Sequence, residues 1–156
     1  MADRHLRVLF LCTGNSCRSQ MAEGWARALK SDSIEPYSAG TTPTALNPFA
    51  VRAMAEAGVD ISAQYSKHVN ELRGAEFDVV VTVCESAHEA CPVFHSGARV
   101  LHVGFDDPPR LADRARNDDE TLPHYRRVRE EIRRFVEALP GALTRPDHLT
   151  TKESVQ

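Results

Sequence analysis

Apolar positions in this chain follow two rhythms, and each rhythm predicts an element. Leu6 and then Val8 to Cys12 form a short apolar run that stops at Thr13-Gly14-Asn15, which predicts a buried β-strand over 6–12 followed by a turn. Met21, Ala22, Trp25, Ala26 and Leu29 then recur at three and four residues, one face of a helix over 19–30. A second short strand is predicted over 36–39, ending at Gly40. A helix follows over 47–57, with Pro48 in its first turn and Gly58 past its end. Residues 69–72 suit a short helix, and the runs 77–83 and 98–103 read as strands covered on both faces. The last long element, 122–139, puts Tyr125, Val128, Ile132, Phe135 and Val136 on one side and Arg and Glu on the other, an amphipathic closing helix. Beyond Pro140 the chain is polar and aperiodic, so residues 141–156 are expected to form a loosely attached tail.

Strands alternating with helices predict an α/β fold, a single three-layer domain over 1–140 built on an open four-stranded parallel sheet flanked by helices. Ligands of such sheets bind beyond the carboxyl ends of the strands, which is where the turn at Cys12 falls. The 156 residues, 42% hydrophobic, suffice for one core. A net charge of −3 supplies no broad cationic surface, which argues against nucleic acid or an anionic membrane as partner, so any bound anion must be held by a local device. The longest apolar stretch is far short of a membrane span and no leader precedes it. A cytoplasmic location is therefore expected, with the four cysteines as reduced thiols. No long apolar stripe is left over to pair with a second copy, so a monomer is expected.

The chemistry concentrates in Cys12-Thr13-Gly14-Asn15-Ser16-Cys17-Arg18-Ser19, a C-x5-R-S segment between a strand and a helix. A loop of this length, closed by a helix N-terminus, can turn successive backbone N–H groups around a tetrahedral oxyanion while the helix dipole adds positive potential. Arg18 can supply a forked, permanently charged donor pair. The same environment lowers the pKa of a thiol at the base of the loop, so Cys12 is expected to be thiolate near neutral pH. The competing reading, a small core residue before an ordinary turn, leaves the arginine spacing and the following helix unexplained. Asn15 is a candidate to hold the loop's shape through its amide and Ser19 to donate to the Cys12 sulfur. Cys17 is expected to point away from the anion.

The segment 12–25 resembles the phosphate-loop signature of low-molecular-weight tyrosine phosphatases and, more closely, of the thioredoxin-coupled arsenate reductases built on that fold. Tyr37-Ser38-Ala39-Gly40, Asn47-Pro48, Val81-Thr82-Val83-Cys84, Cys91-Pro92 and Gly104-Phe105-Asp106-Asp107-Pro108 resemble that reductase family in the same order. The resemblance implies reduction of arsenate by three thiols in turn, Cys12, Cys84 and Cys91. A Cys12–Cys84 disulfide forms as arsenite leaves, a Cys84–Cys91 disulfide follows, and thioredoxin reduces it as external reductant, with no bound cofactor. It also implies Asp107 as general acid, and mobility in the segment 85–90 between the two later thiols.

Some relatives that this chain resembles hold a potassium ion with an Asn, a Glu, a Ser and an Asp. Asn15, Glu23 and Ser38 fit the first three, but Lys67 stands where the aspartate would be, so no metal is expected and activity should not need potassium. Otherwise Lys67 is a solvated surface residue. The alternatives are a low-molecular-weight tyrosine phosphatase, which would share Cys12, Arg18 and Asp107 but need neither later cysteine, and a non-catalytic redox sensor. Asp107-Pro108-Pro109 lacks an aromatic to stack on a phosphotyrosine ring. A zinc site is disfavoured by the spacing of Cys84, Cys91, His88 and His95.

Overall fold

The computed structural model describes residues 5–72, 74–84 and 98–144. Its elements are β1 (Leu6–Cys12), α1 (Arg18–Leu29), β2 (Ile34–Gly40), α2 (Pro48–Glu56), a 3-10 turn (Val69–Leu72), β3 (Val79–Thr82), β4 (Arg99–His102), α3 (Pro108–Leu111), α4 (Asp118–Glu137) and a second 3-10 turn (Gly141–Thr144). The four strands form one parallel sheet in the order β2-β1-β3-β4. Val8, Leu9, Phe10 and Leu11 are all fully buried. Because successive strand residues point to opposite faces, both faces of β1 must be covered, which is why its sequence is continuously apolar rather than alternating. Met21, Met54, Ile61 and Ile132 complete the core from the helices and loops around the sheet.

The strands expected over 77–83 and 98–103 are shorter in the structure, and three further boundaries differ for physical reasons. β2 begins at Ile34 and runs through Pro36, which a strand tolerates at the edge of a sheet, where β2 lies. The closing helix begins at Asp118, not at residue 122, because Asn117 caps it by accepting from Glu120 N at 3.0 Å and three acids fill the first turn. Pro123 lies inside the helix, in its second turn, and has no N–H to give to the carbonyl four residues before it. The tail was expected to begin at residue 141, but Gly141–Thr144 folds back on the core with Ala142 and Leu143 buried, and Arg99 Nη1 donates to Leu143 O. Two apolar side chains in a polar stretch suffice to dock one turn. Residues 145–156 lie outside the described residues. No helix among the described residues is long and apolar enough to cross a membrane.

Candidate active site

β1 ends at Cys12 and α1 begins at Arg18, so the intervening loop lies at the carboxyl edge of the sheet, as expected for a parallel α/β fold. Its carbonyls are tied from outside. Cys12 O accepts from Thr41 N at 3.2 Å, Thr13 O from Thr42 N at 2.8 Å, and Gly14 O from both Thr44 N at 3.1 Å and Ser66 Oγ at 2.9 Å. Asn15 O accepts from Gln20 Nε2 at 2.9 Å, Ser16 O from Asn47 N at 3.0 Å and Cys17 O from Met21 N at 2.9 Å. With each carbonyl held outward, the peptide planes turn their N–H groups toward the centre of the loop, a nest for an anion at a helix N-terminus.

Two residues give the loop its curvature. Asn15 is fully buried in the left-handed region at φ 47°. Its Nδ2 donates to Ser19 Oγ at 2.9 Å and its Oδ1 accepts from Lys67 N at 2.9 Å, so the amide does hold the loop's shape. Ser19 thereby accepts from Asn15, a partner the sequence did not suggest. Gly40, at the end of β2, lets the loop pass against the sheet: a Cβ there would stand 2.5 Å from Thr13 O and 2.9 Å from Asn15 N.

Arg18 and Asp107 are brought together. Arg18 Nη1 donates to Phe105 O at 2.9 Å and Nη2 lies 3.5 Å from Asp107 Oδ1. Its Nε is buried and meets no acceptor among the described residues, a donor available to an oxyanion in the loop. Asp107 is over a third exposed at the mouth, whereas Asp106 turns away to pair with Arg127 at 3.0 Å. Of the two aspartates, it is Asp107 that the fold places beside Arg18.

Cys12, Cys17 and Cys84 are all buried free thiols. Cys84 Sγ is hydrogen-bonded to Thr13 Oγ1 at 3.1 Å, and its thiol is a hydrogen-bonding neighbour of Cys12. That proximity corrects one expectation. Cys12 was expected to ionise near neutral pH, yet the Cys84 side chain and then burial push its pKa well above the ordinary thiol value, outweighing the downward pull of Arg18 and the Thr13 backbone. The arginine supplies the positive potential read from the sequence, but the adjacent thiol was not visible there. Cys17 is likewise pushed up, chiefly by burial, in keeping with a side chain packed away from the anion. Cys91 and the segment 85–90 lie outside the described residues.

Lys67 is not a solvated surface residue. Its Nζ donates to Ser38 O at 2.9 Å and stands 4.5 Å from the centre of the Tyr65 ring, while Ser38 Oγ donates to Glu23 Oε1 at 2.5 Å and Arg27 pairs with Glu23 Oε2 at 2.7 Å. Burial lowers the lysine's pKa and Glu23 and Glu71 draw it back up. The ammonium thus sits on Ser38 O within electrostatic reach of Glu23, while Asn15 holds the lysine's backbone N–H. No cluster of three or more metal-ligating side chains occurs among the described residues. Gln20, Ser66 and Asn47, which support the loop, were not picked out as site residues from the sequence, since buried polar side chains on loops and helix faces carry no periodic signal.

The model of the low molecular weight phosphotyrosine protein phosphatase family matches residues 7–149. Over 125 residues the chain is 46% identical to an arsenate reductase of Halalkalibacterium halodurans and to one of Bacillus subtilis, covering 80% of this chain and 88% of each relative. Among solved structures, an arsenate reductase in its phosphate-binding state superposes with a TM-score of 0.67 at 32% identity, covering 86% of this chain and 95% of the other. An arsenate reductase in an oxidized state gives 0.69 at 30% identity, covering 85% and 95%.

Proposed function

Since the chain belongs to the low-molecular-weight phosphotyrosine phosphatase family and is, within it, an arsenate reductase, we propose that it reduces arsenate through Cys12, Cys84 and Cys91 in turn. The observation that carries this reading is a pair of buried neighbouring thiols, Cys12 and Cys84, at the base of a loop whose carbonyls are all tied outward. A phosphatase needs only the first of them.

The pair sheds its protons stepwise, and only the first must leave for attack to begin. Cys12 thiolate attacks arsenic in a bound arsenate held by the loop N–H groups and Arg18. One As–O bond breaks, and Asp107 donates the proton that lets the oxygen leave as water. Cys84 then attacks the Cys12 sulfur. The S–As bond breaks with its electron pair passing to arsenic, As(V) becomes As(III), arsenite departs, and a Cys12–Cys84 disulfide remains. Cys91 attacks Cys84, releasing Cys12, and the resulting Cys84–Cys91 disulfide is reduced by thioredoxin. Lys67 serves in place of a cation, so turnover does not depend on potassium. The protein works as a cytoplasmic monomer with no resident cofactor.

The test is arsenate-dependent NADPH oxidation with thioredoxin and thioredoxin reductase, comparing the wild type with Cys91→Ser, with aryl phosphate hydrolysis measured on the same preparations. The relay requires sustained turnover in the wild type and a halt after about one equivalent in the variant. Inert arsenate, together with equal phosphate hydrolysis by both proteins, would overturn it.

A further inference from the structure

Every loop carbonyl from Cys12 to Cys17 but one is held by a backbone N–H. The exception is Asn15 O, whose hydrogen bond comes from a side chain alone, Gln20 Nε2 at 2.9 Å. It is also the carbonyl of the loop residue in the left-handed region, at φ 47°, a conformation that an L residue keeps only when its surroundings hold it. Gln20 lies in the first turn of α1 and is fully buried. The orientation of its amide is fixed by a chain of bonds that begins at a group able only to donate. Arg27 Nη1 gives to Gln64 Oε1 at 3.1 Å, which leaves Gln64 Nε2 to give to Gln20 Oε1 at 2.7 Å. Gln20 Nε2 must then face two carbonyls, Asn15 O and Tyr65 O, each at 2.9 Å, and both of its hydrogens are used. Lys67 N holds the Asn15 side chain at 2.9 Å, so residue 15 is clamped through backbone and side chain from one segment, 64–67, with Gln20 as the link to its backbone.

A trans peptide sets its C=O and its N–H in opposite directions. Holding Asn15 O on Gln20 therefore turns the Ser16 N–H, in the same peptide unit, toward the centre of the loop, where it meets no acceptor among the described residues. We infer that Gln20 is the positioning residue for this N–H, and that Ser16 serves as an oxyanion donor because Gln20 fixes the peptide unit before it. The assignment rests on the loop being the arsenate cradle proposed above. The other peptide units are tied by backbone, so no side chain governs them in this way. Here one side chain governs one donor. Without it the peptide unit can swing, and a donor that was aimed in advance must be reoriented each time an anion binds. The effect falls on oxyanion binding and on the first attack by Cys12. The later exchange between Cys84 and Cys91 involves no oxyanion and is untouched.

The experiment follows the backbone amides of the reduced full chain by heteronuclear NMR as inorganic phosphate is added, with the dissociation constant taken from calorimetry. In the wild type the Ser16 amide is expected to move downfield together with those of Thr13 and Gly14. Gln20→Met keeps the length of the side chain and removes both donors. It is expected to weaken phosphate binding about 10- to 100-fold, the worth of one hydrogen bond to a charged group. At saturating phosphate the Thr13 and Gly14 amides should still move while Ser16 stays in place, a pattern that a general loosening of the fold would not give. Gln20→Asn, one methylene too short to reach Asn15 O, keeps an amide in the buried site and should give the same pattern should the methionine variant fail to fold. Binding within about twofold of the wild type in these variants, or an equal loss of shift at every loop amide, overturns the assignment. So does a wild-type Ser16 amide that does not respond to phosphate. None of these readouts uses Cys84 or Cys91, so a chain inert to arsenate whose Ser16 amide follows phosphate only when Gln20 is present fails the relay and upholds this assignment.

Discussion

Asn15→Ala removes the amide on which the loop is hung, and the structure sets the size of the effect. The residue is fully buried, and its two hydrogen bonds, to Ser19 Oγ and from Lys67 N, are both 2.9 Å. Truncation leaves the Lys67 N–H without its acceptor in a site closed to water, a loss of about 1–3 kcal/mol. Alanine also tolerates φ 47° less well than asparagine, adding about 1 kcal/mol. The sum, about 2–4 kcal/mol, corresponds to a fall in melting temperature of about 4–16 °C for a chain of this size. If the strain is instead relieved by letting the loop open, the same energy appears as weaker anion binding, about 30- to 700-fold. Thermal melts with and without phosphate, paired with phosphate protection of Cys12 against iodoacetamide, read both quantities. Asn15→Gly separates the causes: it removes the backbone strain, so it should recover about 1 kcal/mol and no more. A melting temperature within about 1 °C of wild type together with unchanged phosphate protection would show that the loop is held by its outer ties alone.

Removing Cys84 as Cys84→Ala takes away the largest cause of the raised Cys12 pKa and leaves Arg18 pulling down, so Cys12 should alkylate faster at pH 7 and its titration midpoint should move to lower pH, followed by thiolate absorbance. Gly40→Ala drives a methyl group to 2.5 Å from Thr13 O, and since backbone must yield, a loss of about 1–3 kcal/mol and of phosphate protection is expected. Cys12 and Cys17 both have raised pKa values, so the folded chain holds their protons more tightly than the unfolded one. Stability is then complete below the ordinary thiol value of 9.0 and falls as pH climbs past it, and Cys17→Ala should flatten the decline in melting temperature between pH 8 and 10.5. Exchanging potassium for sodium at fixed ionic strength should leave arsenate turnover unchanged, whereas Lys67→Met should lower it.

The parts of this protein that the sequence made legible are those written as periodicity or as spacing. β1, α1 and the C-x5-R-S loop follow from an apolar run, a helical stripe and the arginine position, because burial on both faces of a strand and closure of a loop by a helix are local demands. What stayed hidden is set by approach between distant segments. Thr41, Thr42, Thr44 and Asn47 read as turn residues and a helix start, yet their backbone N–H groups hold the loop carbonyls outward. Lys67 was left between an ion substitute and a surface residue until the chain's path put its Nζ on Ser38 O. The charge state of Cys12 went the other way, since loop, helix and arginine all argue for a thiolate and a neighbour seventy-odd residues along the chain reverses the balance. That reversal has a functional sense. Keeping the two thiols as one buried, proton-sharing pair holds the second nucleophile beside the first from the start. The step that follows arsenate capture then needs no large rearrangement of Cys84, only the removal of its proton.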